Sequence, residues 1–430
     1  MGTLSRRDFL RMVGAAGATT ALGAAGISVA GTARPTGQVI VIGGGFGGAT
    51  CAKYIRRFDP GIEVTLIERA ERFVTCPFSN AVLGGIKDMN DITHGYDALR
   101  EEHGVKVVHD TVSEIDAAGK KVKLAGGDTL AYERLVVSPG IDFRWDEIEG
   151  YDAGTAQTIP HAWKGGPQTV ALSKQLRAMD DGGVAIICPP NNPFRCPPGP
   201  YERASMMANY FKQHKPRSKI LILDTKEKFS KQSLFMQGWE ALYPGMIEWV
   251  AGSEGGRIGR VDAGARTVYS ELGEAHKADV LNVIPPQQAN VIARTAGLTD
   301  ATGWCPIDQR TFESTQYKDI HVIGDSSIAG ALPKSGFAAS SEAKVCAAAI
   351  VTALRGETMP EPSYVNTCYS LVGPEYGISV AMVYRLEDGK ISKVEGAGGV
   401  SPKDVDARFR HREADYARGW YASITEDIWA

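Results

Sequence analysis

The seven cysteines of this 430-residue chain include no C-x-x-C pair, which argues against a structural zinc site. Past about residue 33 there is no apolar run long enough to cross a bilayer. Neither sign of charge dominates: 47 Lys and Arg face 50 Asp and Glu, a formal net charge of −3. That balance gives no hint of a nucleic-acid partner. With 43% hydrophobic and 23% charged residues, the composition is that of an ordinary globular protein. The length allows two or three domains. An odd cysteine count leaves at least one of Cys51, Cys76, Cys188, Cys196, Cys305, Cys346 and Cys368 with work other than pairing.

What the chain does contain is organised around residues 37–49. A short apolar run there reads as a buried parallel strand. It enters G-x-G-x-x-G at Gly43, Gly45 and Gly48, followed by a helix expected over 47–58. In such a turn Gly43 bends the chain and Gly45 admits a pyrophosphate. Gly48 lets the helix lie close on the strand, and the free N–H groups of the helix start face the phosphates. A second strand, 63–67, ends in Glu68, placed to accept from a ribose hydroxyl. A glycine pattern alone is weak evidence. Strand, glycines, helix, strand and acid together are specific for a dinucleotide.

Before this unit, Ser5-Arg6-Arg7-Asp8-Phe9-Leu10 precedes an Ala/Gly-rich apolar run to Ala30. This resembles a twin-arginine export signal over residues 1–33 and predicts a periplasmic protein. That route carries folded proteins, which suits one that takes up its cofactor before export. An exported chain of this size does not need a disulfide framework.

After the first unit, residues 73–80 read as a loop that carries Cys76 shortly past the ribose acid. A strand is expected at 105–109, followed by a hairpin at 122–130. The stretch Tyr132 to Gly140 resembles the Y-D-x-L-V-x-A-T-G signature of flavoproteins with two dinucleotide-binding domains, with Ser-Pro-Gly in place of Ala-Thr-Gly. Residues 320–325 resemble their second FAD motif, which implies a ribityl contact for Asp325. The bland alternative for Gly324-Asp325 is a plain turn at a strand end. The middle segment keeps a βαβ frame: strand 183–187, helix from Glu202 to His214, strand 219–224. Where a nicotinamide-using relative has a second glycine turn, this chain has the proline-rich 188–201, and prolines lack the N–H groups a pyrophosphate needs. Asp224 then reads as a remnant of a ribose acid, and Cys196 and Glu202 as parts of a rebuilt site.

The segments FVTCPFSN, HGYDALR, PHAWKGG, PFRCPPGPYERAS, FSKQS, GWCPID, PKSG and SYVNTCYS carry a more specific resemblance. Together they are similar to the flavoprotein subunits of flavocytochrome c sulfide dehydrogenases, nearly end to end after the signal. The resemblance implies an α/β fold: two Rossmann-like, dinucleotide-binding domains of the glutathione-reductase type plus a smaller C-terminal α+β domain. The expected limits are 36–154 with 285–357 for the FAD domain, 155–284 for a second nucleotide-like domain without a working NAD site, and 358–430 for the C-terminal domain. It further implies FAD tethered at Cys76, a redox-active Cys196–Cys368 disulfide over the flavin, and Glu202 as the acid–base group. The implied partner is a c-type cytochrome subunit in a heterodimer, the substrate is sulfide, and no metal site is expected.

The residues themselves leave alternatives. Cys196 and Cys368 could form a structural staple or stay unpaired; Cys76 could be a spectator; Glu202 could serve only as helix N-terminal charge. As chemistry they are coherent, since a disulfide is opened by HS⁻ through exchange and a carboxylate can move the proton. The leaving thiol needs a positive neighbour, for which Arg195 and the helix near Glu202 are candidates. No C-x-x-C-H occurs, so a c-type haem must lie on another chain. Among other functions, a sulfide:quinone oxidoreductase would need a membrane-binding amphipathic end, whereas this one carries Asp415, Arg418, Glu426 and Asp427 and no basic face. An NAD(P)H-dependent disulfide reductase lacks its second glycine turn and its C-x-x-C. A non-catalytic electron-carrying subunit is the reading from outside enzymology. Trp420 and Tyr421, in a helix expected at the C-terminus, are candidates for an electron path, an interface or plain core.

Overall fold

In the computed structural model, which describes residues 36–430, the first apolar run forms β1 (Gly37–Ile42). It leads through the glycine turn into α1 (Phe46–Phe58) and β2 (Ile62–Ile67). Gly43 has φ +95°, a left-handed value that glycine takes without strain. A Cβ on Gly48 would stand 1.8 Å from the Gly43 carbonyl oxygen, so α1 can lie this close only on glycine. The short α2 (Ser79–Leu83) follows, starting within the last two residues of the stretch expected to be loop. Then come β3 (Lys106–Val108), a small antiparallel hairpin at Lys121–Leu124 and Thr129–Ala131, and β4 (Arg134–Val137).

The middle segment begins with α3 (Pro167–Ala178) and β5 (Val184–Cys188), and after the proline-rich loop comes α4 (Gly199–His214). This helix begins three residues before the expected Glu202. Pro200 sits in its first turn, where the missing N–H is no loss and the fixed φ suits the helix. β6 (Lys219–Leu223), α5 (Gln232–Leu242), β7 (Ile247–Val250) and β8 (Val280–Val283) complete a four-stranded parallel sheet in the order β7-β6-β5-β8.

The chain then returns to the first sheet with β9 (Ile320–Val322), giving the parallel order β9-β4-β1-β2-β3. In the order of this five-stranded sheet, the glycine turn leaves from its central strand. α6 (Gly336–Arg355) packs along α1, and Ser335 caps it by accepting from the Ala338 N–H at 3.1 Å. Three antiparallel strands follow, β10 (Ser363–Gly373), β11 (Tyr376–Glu387) and β12 (Lys390–Val400), and α7 (Ala407–Trp429) closes the chain. Residues 36–430 cluster as one compact unit. The export signal expected over 1–33 lies outside the described residues.

Candidate functional site

The loops at the C-terminal ends of the first sheet's strands border one cavity, together with the proline-rich loop, α6 and β10. Its protein-free space is about 1180 Å³, open mouth included. One end is the glycine turn and the start of α1. Glu68 is fixed there: its carboxylate accepts from the Gly44 N–H at 2.8 Å and the Ala70 N–H at 3.0 Å, and it lines the cavity.

The cavity wall beyond β9 carries Asp325. Its Oδ2 lies 3.6 Å from Arg195 Nη1, while its buried Oδ1 has no hydrogen-bond partner among the described residues. An unmatched buried acceptor is unfavourable unless something donates to it. A polyhydroxylated ligand laid from the glycine turn along this wall supplies such a donor. The residues present therefore fit FAD: glycine N–H groups and Glu68 at one end, Asp325 along the side, the α6 N-terminus beyond. Behind Asp325, the Lys334 ammonium donates to the carbonyls of Asp325 (2.8 Å) and Ser327 (2.7 Å), and burial pulls its pKa down to about 8. Burial pushes the Glu342 carboxyl up to about 7, although the Gly324 N–H donates to it at 2.6 Å.

Three cysteines and one carboxylate face the same space: Cys76, Cys196, Cys368 and Glu202. Cys76 precedes α2, and Arg195 Nη2 approaches its sulfur to 3.2 Å. Cys196 occupies a left-handed turn (φ +55°), with its N–H on the Lys334 carbonyl at 2.7 Å and its carbonyl accepting from Gly199 at 2.8 Å. Cys368 comes from β10, 172 positions later. The expected Cys196–Cys368 disulfide is not formed in this structure: both residues are free thiols, and the Cys368 sulfur lies 3.8 Å from the Tyr369 carbonyl oxygen. Burial raises the pKa of both, and for Cys196 the neighbouring Cys368 and Glu202 charges raise it further.

Glu202 is half-buried and lines the cavity. Its Oε1 accepts from the Leu371 N–H at 2.9 Å and its Oε2 from Asn80 Nδ2 at 3.0 Å. Burial raises its pKa above the usual carboxylate value, opposed by those two donors and by the Lys231 and Arg203 charges. A carboxyl so placed can take and return a proton at the cavity.

The sequence looked to Arg195 for the positive charge beside the leaving thiol. In the structure Arg195 serves Cys76 and Asp325, and the cation beside Cys368 is Lys231, which donates to the Cys368 carbonyl (3.1 Å) and Ser370 Oγ (2.9 Å). Lys231 sits in the FSKQS segment, whose residues alone say nothing about β10. Asn80 was missed for the same reason. Trp420 lines the cavity with a buried indole N–H that has no partner among the described residues, whereas Tyr421 is core, bonded to Thr75 Oγ1 at 2.8 Å.

The equivalent position in the second sheet is filled from within. Asp224 is fully buried, and Tyr201 Oη, Trp249 Nε1 (3.0 Å) and Lys226 Nζ (2.6 Å) all donate to it.

Three family models match the chain. Residues 37–165 match pyridine nucleotide-disulphide oxidoreductases. Residues 169–285 match the central part of the sulfide dehydrogenase [flavocytochrome c] flavoprotein chain, and residues 360–429 the flavin-binding part of flavocytochrome c sulphide dehydrogenase. A flavocytochrome c sulfide dehydrogenase flavoprotein chain from Chlorobaculum thiosulfatiphilum is 66% identical over 47 residues, which are 11% of this chain and 98% of that sequence. The chain belongs to the sulfide-oxidising flavoprotein family that includes these dehydrogenases. The family also includes sulfide:quinone oxidoreductases. The mitochondrial one of Mus musculus is 24% identical over 311 residues, 68% of this chain and 66% of the relative, and that of Dictyostelium discoideum is 22% identical over 310 residues, 67% of this chain and 65% of the relative. The chain thus spans about two thirds of the length of those two. In fold it is similar to the sulfide:quinone oxidoreductase of Aquifex aeolicus, with a TM-score of 0.69 at 18% identity and 92% of each chain covered. The fold is that of the pyridine nucleotide-disulphide oxidoreductases, α/β with Rossmann-type units and a C-terminal domain.

Proposed function

We propose that this chain oxidises sulfide at the Cys196/Cys368 pair and passes the electrons, through FAD tethered at Cys76, to a c-type cytochrome subunit in the periplasm. The observation that carries the reading is the convergence of Cys76, Cys196, Cys368 and Glu202 on the cavity that the glycine turn, Glu68 and Asp325 border. When bound, FAD supplies a two-electron acceptor that can release its electrons one at a time. The chain's own residues divide the rest. With the pair oxidised, HS⁻ attacks Cys196 Sγ; a new S–S bond forms there as the Cys196–Cys368 bond breaks, and Cys368 leaves as thiolate. The attacking sulfur is oxidised to the sulfane level, and its two electrons stay on the pair. Lys231 favours that thiolate, since its charge lowers the Cys368 pKa against burial. Glu202 accepts the proton of the incoming HS⁻ on its cavity side.

Sulfide:quinone oxidoreduction is the second reading, favoured by the Mus musculus and Dictyostelium discoideum relatives. Against it, the outward residues of α7, such as Arg408, Arg412, Asp415 and Glu426, give no apolar face for a membrane surface. Contrary to the sequence reading, one described helix, α6, is long and apolar enough to cross a bilayer, but it is mostly buried and packs on α1. Sulfide-driven reduction of horse-heart-type cytochrome c by the FAD-loaded chain with its co-purified haem subunit, compared with reduction of a short-chain ubiquinone, tests the acceptor. A faster quinone rate overturns the cytochrome reading.

A further inference from the structure

Glu202 has its hydrogen bonds imposed from outside. Arg203, the next residue on α4, is buried at 2% exposure and can only donate. Its Nη1 is held by Asn282 Oδ1 (2.7 Å) and the His161 carbonyl (3.0 Å), and its Nη2 by the Ala162 carbonyl (2.6 Å). Its Nε donates to Asn80 at 3.1 Å, so the Asn80 atom facing it must be the carbonyl oxygen. The Asn80 amide nitrogen is thereby turned to the other side. There it meets the Gly199 carbonyl (3.2 Å) and Glu202 Oε2 (3.0 Å), which take both of its N–H groups. Leu371 N–H faces the other Glu202 oxygen. Both carboxylate oxygens therefore look at donors within the protein, and a proton can enter only on a lone pair turned to the cavity.

We infer that Asn80 is a positioning residue for proton exchange: locked by Arg203, it aims Glu202 so that its proton passes only to and from the cysteine cavity. This rests on Glu202 being the acid–base group of the proposed reaction. Asn80 lies four residues past Cys76, on α2, so the segment that carries the expected flavin tether also orients the acid. The charged and titratable groups facing Glu202 come from several elements: Arg203 on α4, Cys196 on the preceding loop, Lys231 before α5 and Cys368 on β10. Asn80 is the uncharged side chain that holds Glu202.

The test compares Asn80→Asp, Asn80→Ala, Glu202→Gln and wild type, all FAD-loaded, in stopped-flow bleaching by sulfide across pH. Infrared difference titration of the protonated-carboxyl band, identified by its loss in Glu202→Gln, supplies a readout independent of turnover. Asp at position 80 keeps the bond to Arg203 but sets a second carboxylate against Glu202. The Glu202 band and the matching limb of the pH profile should then move up by about one pH unit or more. Asn80→Ala removes a donor and should move both upward by less, and it serves if Asn80→Asp does not fold. A merely structural role would lower the rate equally at every pH and leave the band in place; that result overturns the inference. If Glu202→Gln keeps the wild-type profile, the acid–base reading of Glu202 falls instead. A Glu202→Gln profile without its limb, combined with unshifted Asn80 variants, refutes the positioning role alone.

Discussion

The two parallel sheets have the same βαβ beginning and opposite contents at the strand ends. In the first, β1 runs into glycines and β2 ends in Glu68, whose carboxylate is held by two backbone N–H groups yet still lines a cavity. In the second, β5 runs into prolines and β6 is followed by Asp224, consumed by Tyr201, Trp249 and Lys226. The frame is a packing solution that tolerates either filling. What makes a dinucleotide site is the first turn, where N–H groups must be free, and an acid left with spare lone pairs. In the second half the helix after the turn is kept, and its start faces Cys196 rather than a pyrophosphate.

Breaking the first half should have the largest effect. Gly48→Ala would place a methyl 1.8 Å from backbone oxygen, so α1 must move off β1. The expected outcome is loss of bound flavin and a fall in stability of several kcal/mol, read from the flavin-to-protein absorbance ratio and by denaturant unfolding. Retention of stoichiometric flavin would show that the turn is not the phosphate site. Cys76→Ala sharpens the same half: flavin should remain bound in the native protein but pass wholly to the supernatant on acid precipitation. Yellow colour left in the pellet places the tether elsewhere.

A pH effect comes next. The buried Glu342 carboxyl is raised to about 7 in the folded state, so the fold holds a proton that the unfolded chain releases near pH 4.3. Stability should therefore fall as pH rises from about 4.3 to 7, by roughly 3.5 kcal/mol from this group. Glu342→Gln keeps an acceptor for Gly324 N–H and should flatten that decline in urea unfolding at pH 5 and pH 8. An unchanged slope would mean that Glu342 titrates normally. The second half gives a stability effect without a flavin effect: Asp224→Asn should lose about 1–3 kcal/mol of stability, because the Lys226 ammonium loses its charge partner while Tyr201 and Trp249 keep an acceptor. Flavin content and sulfide-driven bleaching should stay at wild-type level, and NADH should bleach neither protein. Rapid bleaching of the wild type by NADH would restore a nicotinamide role to this half.

The first βαβ unit was legible because its signals are local: an apolar run, glycines needed for backbone approach, an acid at a strand end. The second was legible as a frame for the same reason, and its prolines announced that the phosphate turn was gone. β12 was not picked out in the sequence; it forms as an edge strand whose register against β11 shifts between Met382 and Tyr384. The site was only half legible. Cys196, Glu202 and Cys368 share a cavity because β10 reaches α4 across the fold, a contact without local signature that came from family resemblance. Lys231 and Asn80 act through partners 137 and 122 positions away, which composition and spacing do not encode.

The central claim is that the cysteine pair, and not the cavity alone, takes electrons from sulfide. Stopped-flow mixing of sulfide with FAD-loaded Cys196→Ser and Cys368→Ser, followed by dithionite, tests it most directly. The account predicts that both variants retain FAD and are bleached normally by dithionite, while bleaching by sulfide slows by orders of magnitude. If either variant is bleached by sulfide near the wild-type rate, the pair is not the site of sulfide oxidation.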